Sequence, residues 1–528
     1  MPRSLSHHDR AIALLKKGRG AQALRAFRAS MLSLEAQSER SALMALAVFD
    51  NEGDAAGALE WLALASRVLP QPDRWLAVLA ERQMGQGRFD AALASVEQAL
   101  ARNPDNSVAA INRACWLAGR WGDGVRTRAL FEAWAQRFLD PLTRAAAPLP
   151  ARDRDPERRL RLGYVSGDLK NHSVRYFIEG YLRQHDRLQF ELHAFMTLEE
   201  DPVSDFLRPL VDYWHSVQAL DDDALTALIR RLEIDVLVDL SGHTRGERLA
   251  VFARRAAPVQ ATWFGFMQTL GMQAMDWRIT DFGTSPPGSE AHYTERLWRL
   301  QTMVTYTPPL NADTLYDSPW RANGYVTMVC LNHSRKISDE ALQAWARILQ
   351  ENPASGLMLI SSEGKPQQDH GLHARLKHHG LPADRVIVLE RQTMAAFLRM
   401  ASIADFALDP FPVSGGTTTL HALWTGLPTV ALDRSAHGGM QGAAAAIQKG
   451  CQLDEWVATT VDDYVALAGR WIREPERIDA ARARCRPGLL ASPLMQHADR
   501  TRELEAALRG MWREACATAS QARQPGHP

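Results

Sequence analysis

The densest chemistry in the sequence lies in one run, Asp409-Pro410-Phe411-Pro412-Val413-Ser414-Gly415-Gly416-Thr417-Thr418-Thr419-Leu420-His421. An apolar strand ends there, a loop rich in proline and glycine turns, and three threonines open a helix. The first N–H groups of a helix have no intrahelical acceptor and sit at its positive dipole end. Gly415 and Gly416 let a ligand approach the main chain, and the hydroxyls of Thr417 and Thr418 add donors. Together these groups form a cradle for phosphate. The paired glycines and tripled threonine point to a diphosphate rather than to an ordinary threonine cap. Two histidines stand just past other strand ends: His172 beyond Ser166, and His243 beyond the strand holding Asp239. Imidazole titrates near neutrality and can relay a proton. The plainer reading of either histidine is a loop residue or a helix cap. Lys336 places a cation after a third strand, Tyr325–Leu331.

The elements that must hold these residues alternate strand and helix from Arg159 onward. Buried strands are expected at 161–166, 190–195, 234–240, 259–265 and 277–281. A second series is expected at 325–331, 357–360, 386–389, 406–409 and 429–432. Short apolar runs separated by helical stretches predict parallel sheets covered on both faces. Two such series predict two Rossmann-like lobes, with ligands beyond the C-terminal strand ends. Neither G-x-G-x-x-G nor a Walker loop follows the first strand, which argues against a dinucleotide or ATP site.

The first third repeats. Gly53-Asp54-Ala55-Ala56-Gly57-Ala58-Leu59 returns as Gly87-Arg88-Phe89-Asp90-Ala91-Ala92-Leu93, with an earlier copy near Gly18 and a degenerate one near Gly122. A period of about 34 residues is that of tetratricopeptide repeats, pairs of antiparallel helices. Such arrays present a concave surface to protein partners, or serve only as a helical cap. The organisation read from these patterns is helical repeats over 1–140, a proline-rich linker over 141–158, one α/β lobe over 159–310, a second over 311–515, and a disordered polar tail over 516–528.

Composition narrows the partners. Lys plus Arg and Asp plus Glu both number 61, so there is no electrostatic case for nucleic acid or an anionic membrane. No window approaches the roughly 18–20 apolar residues of a spanning helix. The N-terminus reads as mature sequence, which makes the cytoplasm the default location. The five cysteines lack C-x-x-C spacing and offer neither a zinc site nor a disulfide framework.

The stretch from Asp409 to Pro428 resembles the donor-diphosphate helix of the O-GlcNAc transferase and SPINDLY-type family, glycosyltransferase family 41. Other segments carry the same resemblance in order: Leu162–Ser173, Val238–Gly246, Ala257–Gly265, Met275–Asp281, Asn332–Lys336 and Ser492–Leu494. The resemblance covers about residues 159–515 and implies a GT-B fold and an inverting, metal-independent transfer from a nucleotide sugar to Ser or Thr of a protein. No cofactor is implied beyond the donor, which in this family is UDP-GlcNAc or, in SPINDLY-type members, GDP-fucose. The acceptor protein is the implied partner, held by the repeats. Lys336 matches the family's essential lysine, which meets the leaving diphosphate. His172 matches its active-site histidine, proposed as base or as positioning group, with His243 and Asp239 in support. Gly265, His333, Gly415, Gly416, Thr417, Thr418, His421 and Phe397 fall in the donor-binding set.

Several of those positions depart from the pattern. His421 stands where the family has an acidic residue for the ribose hydroxyls. Phe397 replaces a histidine that packs on uracil, Met394 a lysine found in some members, and His333 an amide. Met267-Gln268 replaces Pro-Gly. Diphosphate handling is therefore expected to persist, while the donor stays open between UDP-GlcNAc, GDP-fucose and another nucleotide sugar. A catalytically silent interaction scaffold is the remaining alternative.

Overall fold

The structure, a computed structural model, describes residues 5–310, 312, 314–361, 370–437 and 441–521. It divides into two compact units. One comprises Met1–Trp116, His333–Leu342 and Met358–Thr393; the other comprises Leu117–Asn332, Gln343–Leu357 and Met394–Pro528. These units cut across the domain boundaries expected from the sequence.

The helical repeats run α1 (His7–Leu15), α2 (Gly20–Leu32), α3 (Ser38–Glu52), α4 (Ala55–Val68), α5 (Pro72–Gly85), α6 (Phe89–Arg102), α7 (Ser107–Trp121) and α8 (Gly124–Phe138). The periodic glycines have a shared job. Gly18, Gly53, Gly87 and Gly122 all have φ between 61° and 70°, each turning the chain between the two helices of a pair. A side chain is strained in that left-handed conformation, so the period in the sequence is the period of the turn. The small residues Ala23, Ala42, Ala45, Ala58, Ala65 and Ala80 are buried between the helices, where they allow close approach.

A short helix, α9 (Asp140–Ala145), follows. The first sheet region then gives β1 (Leu160–Ser166), α10 (Arg175–Gln184), β2 (Phe190–Met196), α11 (Pro202–Leu207), β3 (Tyr213–Ser216), α12 (Asp222–Arg231), β4 (Val236–Asp239), α13 (Leu249–Ala253), β5 (Val259–Thr262), β6 (Trp277–Asp281) and β7 (Arg296–Leu300). Among the described residues these seven strands form one sheet in the order β3-β2-β1-β4-β5-β6-β7. The pairings are parallel, with Leu162 opposite Leu192 on one side and Val236 on the other. β1, β2, β4 and β5 are almost wholly buried, the signature of a sheet covered on both faces.

The second series gives α14 (Trp320–Asn323), β8 (Val326–His333), α15 (Asp339–Glu351), β9 (Ser355–Ile360), α16 (His370–His378), β10 (Val386–Leu389), α17 (Met394–Leu398), β11 (Phe406–Leu408), α18 (Thr417–Trp424), β12 (Thr429–Leu432), α19 (Ala443–Gly450), β13 (Val457–Ala458), α20 (Val461–Arg473), α21 (Pro475–Ala491) and α22 (His497–Gln521). Its sheet order is β10-β9-β8-β11-β12-β13. Both sheets change winding direction beside their first strand, the arrangement that opens a crevice at the C-terminal strand ends.

Three expected boundaries are corrected. The last repeat helix belongs to the first sheet's core: Ala135 and Leu139 pack in one cluster with Val165, Phe195, Leu237 and Leu270. The linker at 141–158 is no loose spacer. It begins inside α9, and Arg152 and Arg158 both pair with the fully buried Asp235 at the start of β4. Arg509 on α22 donates to the carbonyls of Pro156 and Arg158 at 2.9 and 2.7 Å. The second lobe does not keep its last helix, and the tail expected from residue 516 is helical as far as Gln521. α22 packs along the first sheet region, where Glu505 accepts from His185 and from the Asp186 N–H. Residues 522–528 lie outside the described residues.

Phe131 on α8 is fully buried and stacks on His243 at 5.2 Å. Phe131→Ala is expected to cost about 3–5 kcal/mol in urea unfolding, the range for deleting a core aromatic. A loss under about 1 kcal/mol would return α8 to the role of a detachable repeat.

Candidate active site

The loop between β11 and α18 is built around a buried carboxylate. Asp409, the first residue past β11, is 2% exposed. Its Oδ1 accepts the Gly415 N–H at 2.8 Å and the Asn332 side-chain N–H at 3.4 Å; its Oδ2 accepts the Ser414 hydroxyl at 2.7 Å. Ser414 in turn accepts the Ala444 N–H at the start of α19. A side chain at residue 415 would press on Asn332 and Asp409 at 2.8 and 2.9 Å, so glycine is the residue that fits.

This corrects the expected roles within the cradle. The Gly415 N–H is already committed to Asp409. The Thr418 hydroxyl donates to Asn332 Oδ1 at 3.2 Å, and the Thr419 hydroxyl to the Gly415 carbonyl at 3.1 Å. These bonds do not involve the first amides of the helix itself. The N–H groups of Thr417, Thr418 and Thr419 have no intrahelical carbonyl to take them. A side-chain carbon at Gly416 would meet nothing within 4 Å. An anion can therefore sit directly on the first turn of α18.

His421 lies one turn further along the same helix face as Thr417 and is 3% exposed. Its Nδ1 is 2.8 Å from the Tyr306 hydroxyl. Tyr176 and Phe397 meet the imidazole edge-to-face at 4.7 and 5.9 Å. Burial lowers the imidazole pKa to about 3, so the ring is neutral at physiological pH. Tyr176 is on α10, four residues after His172, and thus brings the loop carrying His172 into the same region.

His172 caps α10. The Val174 N–H reaches its Nδ1 at 3.4 Å, and Asp168 Oδ1 lies 3.7 Å from the same nitrogen. The side chain remains 45% exposed. Burial holds the Asp168 carboxyl above the usual range, against the pull of His172 and Lys170.

The β4 end is organised differently from the expectation. Asp239 is buried, and its oxygens take the Ser241 and Gly242 N–H groups and the Thr262 hydroxyl at 2.8–3.1 Å. Burial raises its pKa against these bonds. The carboxylate shapes the Ser241–Gly246 turn instead of facing a substrate. His243 sits in an aromatic cage of Phe131, Trp134 and Phe266, with Nε2 at 3.2 Å from the Leu270 carbonyl. Burial lowers its pKa to about 4. In this structure the contacts of both residues are made within the turn and the aromatic cage. Gly265 has a structural cause as well, because a side chain there would collide with the Leu240 carbonyl.

Lys336 and His333 belong to the other compact unit. His333 closes β8, and Lys336 ends the single 3-10 turn Ser334–Lys336 that follows it. Lys336 is half-buried, and Arg335 approaches His333 Nδ1 at 3.4 Å. Phe397 is half-buried on the short helix α17. Among the described residues no three His, Cys, Asp or Glu side chains gather as a metal site, and no helix is long and apolar enough to cross a membrane.

Sequence reasoning passed over Asp409, Asn332, Tyr176 and Tyr306 as site residues. Asp409 and Asn332 had a legible signal, each being a polar residue at the C-terminal end of an apolar strand. The tyrosines had none, since only the fold brings them to His421.

Comparison with known proteins agrees with this architecture. The family model described as glycosyl transferase family 41 matches residues 140–306 and 310–504. A probable UDP-N-acetylglucosamine–peptide N-acetylglucosaminyltransferase SPINDLY of Petunia hybrida is 34% identical over 378 residues, 69% of this chain and 40% of the relative. Its Arabidopsis thaliana counterpart is 33% identical over 407 residues, 73% of this chain and 43% of the relative. The chain thus spans less than half the length of these plant relatives. A solved structure of a lysine-to-methionine mutant of Thermobaculum terrenum O-GlcNAc transferase is 33% identical, with a TM-score of 0.84 over 96% of this chain and 97% of that one. The two Rossmann-like sheets behind helical repeats are a GT-B fold.

Proposed function

The chain belongs to glycosyl transferase family 41, and from that premise we propose that it moves a sugar, GlcNAc from UDP-GlcNAc, to Ser or Thr hydroxyls of a protein. The observation that carries this reading is the start of α18: first-turn amides without intrahelical acceptors, open space at Gly416, and a buried Asp409–Asn332 frame bonded to the turn. That is a site for the leaving diphosphate. Preorganised N–H groups and a cation lower the barrier most when they meet the charge that develops on departure. Lys336, four residues beyond Asn332 in the chain, is the cation in this reading. The reaction is inverting and needs no metal: the acceptor oxygen attacks the anomeric carbon on the face opposite the diphosphate, the old carbon–oxygen bond breaks toward the phosphate, and the hydroxyl proton passes to a base, His172 or the departing diphosphate. His172 serves as that base or as the group that positions donor and acceptor. The helical repeats hold the protein acceptor.

Thermal-shift titration tests the donor. A ligand that binds only the folded chain stabilises it by about 2.7 kcal/mol at a hundredfold excess over Kd. UDP and UDP-GlcNAc are expected to raise the midpoint and GDP and GDP-fucose to leave it unmoved. A shift with the guanosine compounds alone would reassign the donor. No shift with any of the four would remove the transferase reading.

A further inference from the structure

The helix α16 contains a glycine, a residue that disfavours helix because its backbone has more freedom to lose. Gly371 has a reason in its surroundings: a side-chain carbon there would come within 2.0 Å of the Gln86 carbonyl oxygen. Gln86 and Gly87 lie in the turn between the repeat helices α5 and α6, and α16 belongs to the same compact unit as that turn. The repeat turn thus lies main chain to main chain against α16.

Arg375 is one helical turn beyond Gly371, on the same face. Its guanidinium serves three neighbours. Nε and Nη2 donate to Asp339 Oδ1 at 2.9 and 2.8 Å, and Nη2 also donates to the Ile337 carbonyl at 2.7 Å. Nη1 lies 3.3 Å from where a side-chain carbon of Gly87 would stand. Leu372 and Leu376 on the same helix are buried, so α16 is packed into its unit.

Ile337 is the residue that closes the turn carrying Lys336. Its N–H donates to the Ser334 carbonyl at 3.1 Å, and its side chain is buried. Arg375 holds the carbonyl of that same residue. His379, one turn further along α16's path, brings Nε2 within 3.2 Å of Asp339 Oδ1. An ion pair at the surface contributes little by itself. This one is joined to a main-chain carbonyl through a planar fork, which a lysine does not reproduce.

We propose that Arg375 is a positioning residue for Lys336, and that the repeat turn at Gln86–Gly87, by resting on α16, takes part in holding that cation in place. This rests on the reading that Lys336 meets the leaving diphosphate. The repeats then act on the diphosphate site itself, apart from any contact with an acceptor.

Calorimetric titration of UDP on the full chain tests this in a double-mutant cycle with Lys336→Ala. The fitted stoichiometry counts folded chain and the affinity reports the site, so a variant that folds poorly is told apart from one that binds poorly. Lys336→Ala is expected to weaken UDP about tenfold or more, the scale of one hydrogen bond to a charged group. Arg375→Leu is expected to weaken UDP about fivefold in the wild-type background and to add less than about twofold on top of Lys336→Ala, as coupled residues of one network do. A side chain that only shapes the unit would lower affinity equally in both backgrounds. Arg375→Lys, which keeps the charge and loses the fork, is expected to fall between Arg375→Leu and wild type. Gly371→Ala, which drives α16 off the Gln86 carbonyl, is expected to follow Arg375→Leu in both backgrounds. Gly85→Ala, one residue before Gln86 where an added carbon meets nothing within 4 Å, is expected to bind like wild type. Wild-type affinity in Arg375→Leu, or the same loss in both backgrounds, would overturn the positioning role and leave Lys336 as the cation. Wild-type affinity in Gly371→Ala would overturn the part given to the repeats. Unchanged affinity in Lys336→Ala would overturn the reading of Lys336, and the proposal with it.

Discussion

Lys336→Ala is expected to lower transfer turnover by about 100-fold or more while leaving the thermal midpoint where it was. The size follows from the job. Removing one preorganised stabiliser of developing negative charge costs on the order of 100- to 1000-fold in enzymes that depend on it. The lack of a stability effect follows from position: Lys336 is a half-buried residue on a single 3-10 turn, outside the packed core. Lys336→Arg keeps the charge on a longer, planar head and is expected to recover part of the rate. Steady-state kinetics with the donor identified by thermal shift checks both. Turnover within a fewfold of wild type in Lys336→Ala would take the residue out of the mechanism.

Asp409→Ala is expected to remove donor binding and to destabilise the chain together. The carboxylate answers the Gly415 N–H, the Ser414 hydroxyl and the Asn332 amide inside a buried pocket. Each buried donor left unanswered costs about 1–3 kcal/mol, so a loss of several kcal/mol is expected in urea unfolding. The turn into α18 then loses the bonds that frame it. Asp409→Asn fills the same volume with one acceptor fewer and is expected to fall between. An alanine variant that unfolds like wild type and binds nucleotide normally would show that the loop holds its shape without the carboxylate.

Much of the fold was legible because burial writes itself into short apolar runs. The expected strands at 161–166, 190–195, 277–281 and 429–432 overlap β1, β2, β6 and β12 nearly residue for residue. The strands that went unread, β3, β7 and β13, stand toward or at sheet edges. β3, Tyr213–Ser216, has no buried residue, so its composition carries no apolar run to detect. The repeats were legible through their turn glycines, whose left-handed φ no other residue adopts at so little cost.

What the sequence hid was partnership across the chain. Nothing local to α8 says that Ala135 packs with residues of the first sheet, and nothing local to Arg152 says that it meets Asp235. A proline-rich stretch therefore read as a linker, and a polar C-terminus as a disordered tail. The same blindness affected the site. His243 lay just past a strand end and read as facing the cleft, whereas Phe131 and Trp134 of α8 hold it in a cage. Asp239 read as support for catalysis, whereas its oxygens are spent on its own turn. Gly415 and Thr418 read as ligand donors, and their bonds turn inward. His421 read as a departure from the family pattern, and the fold shows it paired with a tyrosine 115 residues away.

The central claim is sugar transfer to a protein hydroxyl, and intact-protein mass spectrometry tests it most directly. The full chain is incubated with UDP-GlcNAc and a Ser/Thr-rich acceptor protein, beside Lys336→Ala as control, and modified residues are mapped by fragmentation that preserves the sugar. The account predicts that the acceptor gains the mass of one or more N-acetylhexosamine units on Ser or Thr, and that the control gains little or none. No mass gain on any acceptor or on the chain itself, in preparations shown to bind UDP-GlcNAc, would contradict it.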